Sequence, residues 1–122
     1  MAERGKRWPV RLTATAQREL AAVMEWSAEQ FGARAALRYD ALITQALKDL
    51  SADPERPGST ERPELLIEGA RTYHLTFSRA RVAAGQRVQA PRHFVVYRCG
   101  ADGVEVVRIL HDRRSLEGEL DE

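Results

Sequence analysis

The chain has 122 residues, of which 43% are apolar and 30% charged, and its formal net charge is +1. This length suits one domain, and the composition is that of a globular protein whose core needs no metal or disulfide. A near-neutral total charge argues against a general polyanion binder. Cys99 is the single cysteine, so a reducing compartment is favoured. Neither a signal peptide nor an apolar run of membrane-spanning length is evident, so we expect a cytoplasmic protein without a membrane partner.

The first half of the chain predicts a short strand followed by two helices. Residues 1–8 are polar and basic and are expected to be flexible, whereas apolar and polar residues alternate over 10–12, as in a strand. From 16 to 31 the apolar residues recur at helical spacing, and Gly32 is a natural helix end. A second apolar stripe of helical spacing covers 33–50, so the two segments predict a helical hairpin.

The second half predicts strands. Residues 53–63 hold three prolines and must form a loop, after which alternation over 72–77 predicts a strand. Residues 78–92 are predicted to be an extended hairpin insertion. Two strands at 93–98 and 104–111, joined by the tight turn GADG, form a β-hairpin.

This order of elements predicts an α+β fold. A short N-terminal strand and a two-helix hairpin would pack on a small antiparallel β-sheet. One face of the sheet would lie under the helices, and the other would be partly open to solvent. We expect the whole chain, residues 1–122, to form this single domain.

Charge is unevenly distributed along the chain. Between residues 71 and 114 there are three acidic residues but nine arginines, at positions 71, 79, 81, 87, 92, 98, 108, 113 and 114. An arginine-lined sheet could bind a nucleic-acid backbone or an acidic protein, but solvated arginines also protect strand edges. Arg98 and Arg108 are the most informative, because each lies among apolar residues inside a strand. Arg108 could belong to a structural ion pair or to a functional surface.

The histidines and tryptophans permit several interpretations. His74, His93 and His111 are predicted to lie on different strands, and no metal site is expected from them. His111 ends the last strand, where it could act as a general acid or base or simply cap the local backbone. Trp26 lies beside the apolar stripe of its helix, so it could be a core residue or part of an exposed apolar groove.

Segments in both halves resemble a known family. The run VEVVRILHDRRSLEGEL at 104–120 looks like the C-terminal strand and tail of ParE-type toxins, and HFVVYR at 93–98 looks like the strand before it. The family's two-helix pattern and following loop are matched by QFG at 30–32, Ala36, Tyr39, Leu42, Leu50 and Pro54. The resemblance spans about residues 10–120 and implies the RelE/ParE-like fold.

The resemblance also distinguishes two branches of this superfamily. RelE-like members cut messenger RNA on the ribosome, using arginine or lysine with a histidine or tyrosine. Here Phe94 takes the place of an arginine found in several of them, and Asp112, not a tyrosine, follows His111. Phenylalanine cannot stabilise phosphate charge. The resemblance therefore implies a ParE-like toxin that binds and blocks DNA gyrase and is silenced by a cognate ParD-like antitoxin.

The resemblance and the charge pattern together give a set of candidate site residues. Those predicted to bind the target are Arg98, Arg108, His111, Arg113, Arg114 and Leu116. Those predicted to bind the antitoxin are Trp26, Phe31, Arg71 and Arg98. The antitoxin would place an apolar helix on the hairpin and an acidic tail along the arginine-rich sheet.

Two alternative functions remain open at the level of sequence. In a ribosome-dependent endoribonuclease, His111 would be the acid or base, and Arg98 and Arg108 would hold phosphate. In a non-toxic partner, the protein would only regulate its own operon. The leading hypothesis requires no catalytic residue, cofactor or metal, and it leaves direct nucleic-acid binding undecided.

Overall fold

The structure is a computed structural model that describes residues 7–113. Its helices are α1 (Ala14–Phe31) and α2 (Ala33–Ala52), with two 3₁₀ helices at Leu75–Arg81 and Ala84–Gln86. Its strands are β1 (Val10–Leu12), β2 (Thr60–Glu61), β3 (Ala70–His74), β4 (His93–Gly100) and β5 (Gly103–His111). The predicted α+β fold is thereby confirmed. Among the described residues, no helix is both long and apolar enough to cross a membrane.

The helical hairpin forms as the apolar spacing predicts. Thr13 caps α1, because its hydroxyl accepts a hydrogen bond from the Ala16 amide at 3.1 Å. Gly32, with φ of +97°, lies between the two helices, a conformation that other residues rarely adopt. The buried residues of α2 lie on one face of the helix: Tyr39, Leu42, Ile43, Ala46, Asp49 and Leu50.

The sheet is mixed, which corrects the prediction of an antiparallel sheet. Its strand order is β1-β5-β4-β3-β2, and β1 pairs in parallel with β5 while the other neighbours are antiparallel. A parallel first strand is possible because the two helices carry the chain across the sheet and back between β1 and the later strands. Gly103 permits the close approach of β5 to the chain before β1, because a β-carbon at this position would collide with the Pro9 carbonyl. The Pro9 carbonyl accepts a hydrogen bond from the Val104 amide at 2.7 Å.

Each face of the sheet carries a separate apolar cluster. The main core lies between the helical hairpin and one face of the sheet, and contains Leu42, Ile43, Leu50, Tyr73, Val95, Tyr97, Val104, Val106 and Ile109. A smaller cluster on the outer face contains Leu65, Ala70, Val96 and Leu110, with Ile67 and Phe94 packed against it. The loop residues 65 and 67 therefore cover part of the face that was predicted to be partly open.

The segment 78–92 is folded locally, which corrects the prediction of an extended hairpin insertion. The predicted strand over 72–77 likewise ends at His74, where the side chain accepts the Thr76 amide and caps the first 3₁₀ helix. Two arginines form hydrogen bonds between different parts of this segment. The Arg79 Nε atom donates to the Val88 carbonyl, and Arg87 donates to two further backbone carbonyls. These guanidinium groups satisfy backbone acceptors, which an extended hairpin would have paired in a ladder.

A buried carboxylate attaches this segment to α2. Asp49, whose exposed fraction is 2%, accepts hydrogen bonds from the Ser78 hydroxyl at 2.6 Å and from Arg81 Nε at 2.7 Å. Arg56 adds a longer ion pair at 3.8 Å. A carboxylate buried to this extent needs such partners, because its desolvation is otherwise costly.

The segment before β1 is also attached to α2. The Trp8 amide donates to the Ser51 carbonyl at 2.8 Å, and the Ser51 hydroxyl donates to the Trp8 carbonyl at 2.7 Å. Trp8 is thus held in place although it belongs to the range 1–8 expected to be flexible. Residues 1–6 of that range lie outside the described part of the chain.

Candidate functional site

A groove lies between α1 and the last strand, and it is here called the α1–β5 groove. It has a volume of about 430 Å³ and is lined by Glu19, Ala22, Val23, Trp26, His93, Ile109, Leu110, His111 and Arg113. One wall is formed by the exposed side of α1, and the other by the end of β5. The lining is mainly apolar, with charged groups at its ends, as in surfaces that bind another protein chain.

Trp26 connects the groove to the core. Its ring makes edge contacts with Phe31, Tyr39, His93 and His111, with centroid distances of 5.8, 6.4, 5.5 and 6.4 Å. Both interpretations of Trp26 therefore hold, since it packs against the main core and also lines the groove. Phe31 is 68% exposed, which extends the apolar surface from the groove to the end of the hairpin.

Beneath Trp26 lies a buried tyrosine–histidine pair. The Tyr39 hydroxyl accepts the Arg92 amide at 2.9 Å, so it is placed to donate its proton to His93 Nδ1 at 2.7 Å. Desolvation by burial raises the pKa of Tyr39 to about 12. Desolvation, together with the nearby His111, lowers the pKa of His93 to about 4. Both groups are neutral at neutral pH, and His93 carries its proton on Nε2.

The three histidines converge on one end of the sheet. His93 and His111 are paired across β4 and β5 with ring centroids 5.1 Å apart. His74 Nε2 lies 3.1 Å from Asp112 Oδ2, and Arg92 lies 3.5 Å from the other oxygen of the same carboxylate. Desolvation raises the pKa of Asp112, but the hydrogen bond from His74 and the charge of Arg92 outweigh it, so the net shift is downward.

Convergence of the histidines does not produce a metal site. Within residues 7–113, no group of three histidine, cysteine, aspartate or glutamate side chains is placed to hold a metal ion. His93 is already bonded to Tyr39 through Nδ1, and His111 Nδ1 accepts the Arg113 amide at 3.1 Å. These ring nitrogens are therefore bonded within the protein. The hydrogen bond from the Arg113 amide to His111 Nδ1 fixes the backbone immediately after β5.

Arg108 forms an ion pair across the edge of the sheet. Its Nε and Nη2 atoms donate hydrogen bonds to one oxygen of Glu19 at 2.9 and 2.6 Å. The other Glu19 oxygen accepts a hydrogen bond from the Ile109 amide at 2.8 Å. A β-bulge at Val107 lets Arg108 pair with Val96, so its side chain starts from the outer face. The structural ion pair expected as one alternative is therefore present, next to the groove.

Arg98 and Arg71 lie away from the groove. Arg98 is near the turn of the β4–β5 hairpin, about 17 Å along β4 from His93, since five residues rise about 3.4 Å each. It bonds to Glu105 at 2.9 Å and is 47% exposed. Arg71 is 15% exposed, bonds to the Ser59 hydroxyl at 2.6 Å, and lies 3.4 Å from Glu61.

The predicted residues thus form two groups rather than one surface. His111, Arg113 and Trp26 line the groove, with Phe31 and Arg108 in contact with its lining residues, whereas Arg71 and Arg98 are remote. Arg114 and Leu116 lie outside the described residues. Sequence reasoning missed Tyr39 and Glu19 as parts of this region. Only strand register could have revealed the importance of His93, because it places that residue opposite His111.

These features define a small α+β protein with a mixed five-stranded sheet, a helical hairpin and an open groove between them. The family model for the ParE toxin of type II toxin–antitoxin systems, parDE, matches residues 10–116. The chain therefore belongs to this family, as its resemblance implied.

Among solved structures, the chain is similar to one described as the chromosomal ParDE TA system from P. aeruginosa. The two are 17% identical with a TM-score of 0.59, and the match covers 85% of this chain and 95% of the other. At this identity, the likeness supports the fold. No match to a curated protein was found.

Proposed function

We propose that this ParE-family toxin acts in the cytoplasm by binding and inhibiting DNA gyrase, and that direct binding of a cognate ParD-like antitoxin neutralises it. Family membership provides the toxin class. The choice of gyrase over messenger RNA rests on one observation, which is the environment of Phe94.

Phe94 lies on the outer face of the sheet, where it contacts the small apolar cluster and also lines a concavity with polar residues such as Arg62 and His74. It pairs with Leu110 on β5 and with His74 on β3, and it packs against the small outer cluster. By the resemblance, several RNA-cleaving members of this superfamily have an arginine here, which stabilises charge on the phosphate. The phenylalanine at this position therefore favours a binding protein over a nuclease.

The antitoxin surface is proposed to centre on Trp26 and Phe31. The exposed ring of Phe31 and the side chain of Leu37 on α2, which is 70% exposed, provide the apolar area that a docked helix would cover. Arg98 and Arg71 would contact acidic residues of the same partner. The Arg98 side chain is 47% exposed, so exchanging its ion-pair partner costs little.

The target surface is proposed to include the open end of the groove. His111 and Arg113 lie there, with Arg108 beside them, and Arg98, Arg114 and Leu116 complete the proposed set. Because Trp26 lines the same groove, antitoxin and target would compete for one region. Neutralisation would then follow from simple exclusion of the target.

Induction of the toxin in growing bacteria tests the proposal. Incorporation of labelled thymidine should stop within minutes, before incorporation of labelled methionine, and purified toxin should block supercoiling by gyrase. Arg113→Ala should weaken both effects. Lys48→Ala removes one exposed positive charge on α2, outside the groove, and should leave them unchanged.

The other outcomes discriminate among the alternatives. If methionine incorporation stops first and messenger RNA is cut in a way that His111→Ala abolishes, the protein is an endoribonuclease. If neither label is affected while a partner still binds, the protein is a non-toxic operon regulator. Either result contradicts gyrase inhibition.

A further inference from the structure

The α1–β5 groove continues the path of a strand. β1 pairs with only the first part of the outer edge of β5, from Val10↔Val104 to Leu12↔Val106. At Thr13 the chain leaves the sheet to begin α1. In the described part of the chain, no strand pairs with residues 107–111 on this side, and Ile109, Leu110 and His111 line the groove. We call residues 107–111 the β5 edge.

Side chains of α1 and its cap occupy the hydrogen-bonding positions of the β5 edge. The Thr13 hydroxyl donates to the Val107 carbonyl at 2.9 Å, as a strand amide would. The Glu19 carboxylate accepts the Ile109 amide at 2.8 Å, as a strand carbonyl would. An edge with such groups is a ready template for another chain, and these two contacts cover it with replaceable side chains.

The walls of the groove indicate what kind of segment fits. On α1 they consist of Ala22, Val23 and Trp26, which provide space and apolar surface beside the strand, together with Glu19. The Glu19 carboxylate is bonded to Arg108 and to the Ile109 amide, whereas Arg113 contributes a positive charge to the groove. An extended segment with apolar side chains and an acidic residue matches this surface in shape and charge.

We propose that the β5 edge accepts an extended segment of the antitoxin as an additional strand, collinear with β1. A backbone carbonyl of that segment replaces the Glu19 carboxylate at the Ile109 amide. An acidic side chain of the segment pairs with Arg113. This inference rests on the proposed neutralisation by a directly bound antitoxin, and it specifies the conformation, chemistry and position of the bound segment.

Ala22 and Ala21 provide a matched pair of variants. Both are exposed residues of α1, but only Ala22 lines the groove. Ala22→Phe should fill the space beside the β5 edge, and Ala21→Phe adds the same bulk elsewhere on the helix. The probe is the purified product of the reading frame adjoining the toxin gene, titrated against each full-length toxin. We expect Ala22→Phe to weaken binding at least about tenfold and Ala21→Phe less than about twofold.

Hydrogen exchange gives an independent readout on unaltered toxin. Amides of the β5 edge, including Ile109, should exchange more slowly in the complex, because a strand carbonyl replaces a side-chain acceptor. A partner that protects α1 but leaves 107–111 unchanged binds as a helix and overturns the proposal. The proposal is also overturned if binding does not slow exchange of the 107–111 amides because residues 114–122 of this chain already protect them in the free toxin.

The proposed function and this inference fail in different ways. If wild-type toxin does not bind the adjoining gene product, neutralisation by that product is wrong. If it binds and is neutralised, but Ala22→Phe and Ala21→Phe bind equally well, only the β5 edge inference is refuted.

Discussion

Acidification should destabilise this protein through His93. The imidazole is 5% exposed, and its Nδ1 atom receives the Tyr39 hydroxyl proton. Protonation of His93 would turn Nδ1 into a donor facing the tyrosine hydroxyl, and would place a charge in the core beside His111. The folded state therefore resists protonation, and its pKa for His93 is about 4 against 6.5 for an ordinary histidine.

The sign and magnitude of the effect follow from proton linkage. Between pH values of about 4 and 6.5, the unfolded chain binds more protons at this residue than the folded one, so the free energy of unfolding rises with pH. The contribution from His93 is fully present above about pH 6.5 and is lost as the pH falls towards 4. Integration from about pH 7 to about pH 5 gives a loss of about 2 kcal/mol.

Urea denaturation at a series of pH values, with His93→Gln beside the wild type, measures this contribution. Other groups titrate as well, so the informative quantity is the difference in unfolding free energy between the two proteins. That difference should shrink by about 2 kcal/mol between about pH 7 and about pH 5, because glutamine cannot be protonated. His74→Gln, which removes an imidazole that is 25% exposed, should retain most of the wild-type pH dependence. A constant difference between wild type and His93→Gln would refute the reasoning.

Two further variants test the fold that supports the site. Asp49→Ala removes the buried acceptor of a hydroxyl and a guanidinium and should cost about 3 kcal/mol of stability, whereas the exposed Asp40→Ala should cost little. Gly103→Ala places a β-carbon against the Pro9 carbonyl at φ of +121° and should cost more than about 2 kcal/mol. Gly85→Ala meets no atom within 4 Å and should be nearly neutral. Thermal or urea unfolding measures both pairs, and equal losses within either pair would contradict the structural explanation.

Local patterns in the sequence were sufficient for the elements of the fold. The apolar spacing over 16–31 and 33–50, broken by Gly32, predicts the helical hairpin, because helix periodicity depends only on neighbouring residues. Likewise, the turn GADG between two apolar runs predicts the β4–β5 hairpin. The expectations that were wrong include an antiparallel sheet and an extended 78–92 segment. Both depend on partners distant in sequence: β5 for the first strand, and Asp49 for the segment.

The candidate site was only partly predictable for the same reason. Sequence identified His111, Arg108 and Trp26 as residues of interest from their type and position. It could not pair Arg108 with Glu19, which lies 89 residues earlier, or place His93 under Trp26. Those contacts are set by strand register and by how α1 crosses the sheet.

What the sequence determined by itself was therefore the set of elements, the family resemblance and the basic character of the second half. The tertiary structure decided which charges are compensated and which residues share a groove. Hydrophobic periodicity is a local property, whereas an ion pair across the end of a sheet exists only once both chain segments are packed.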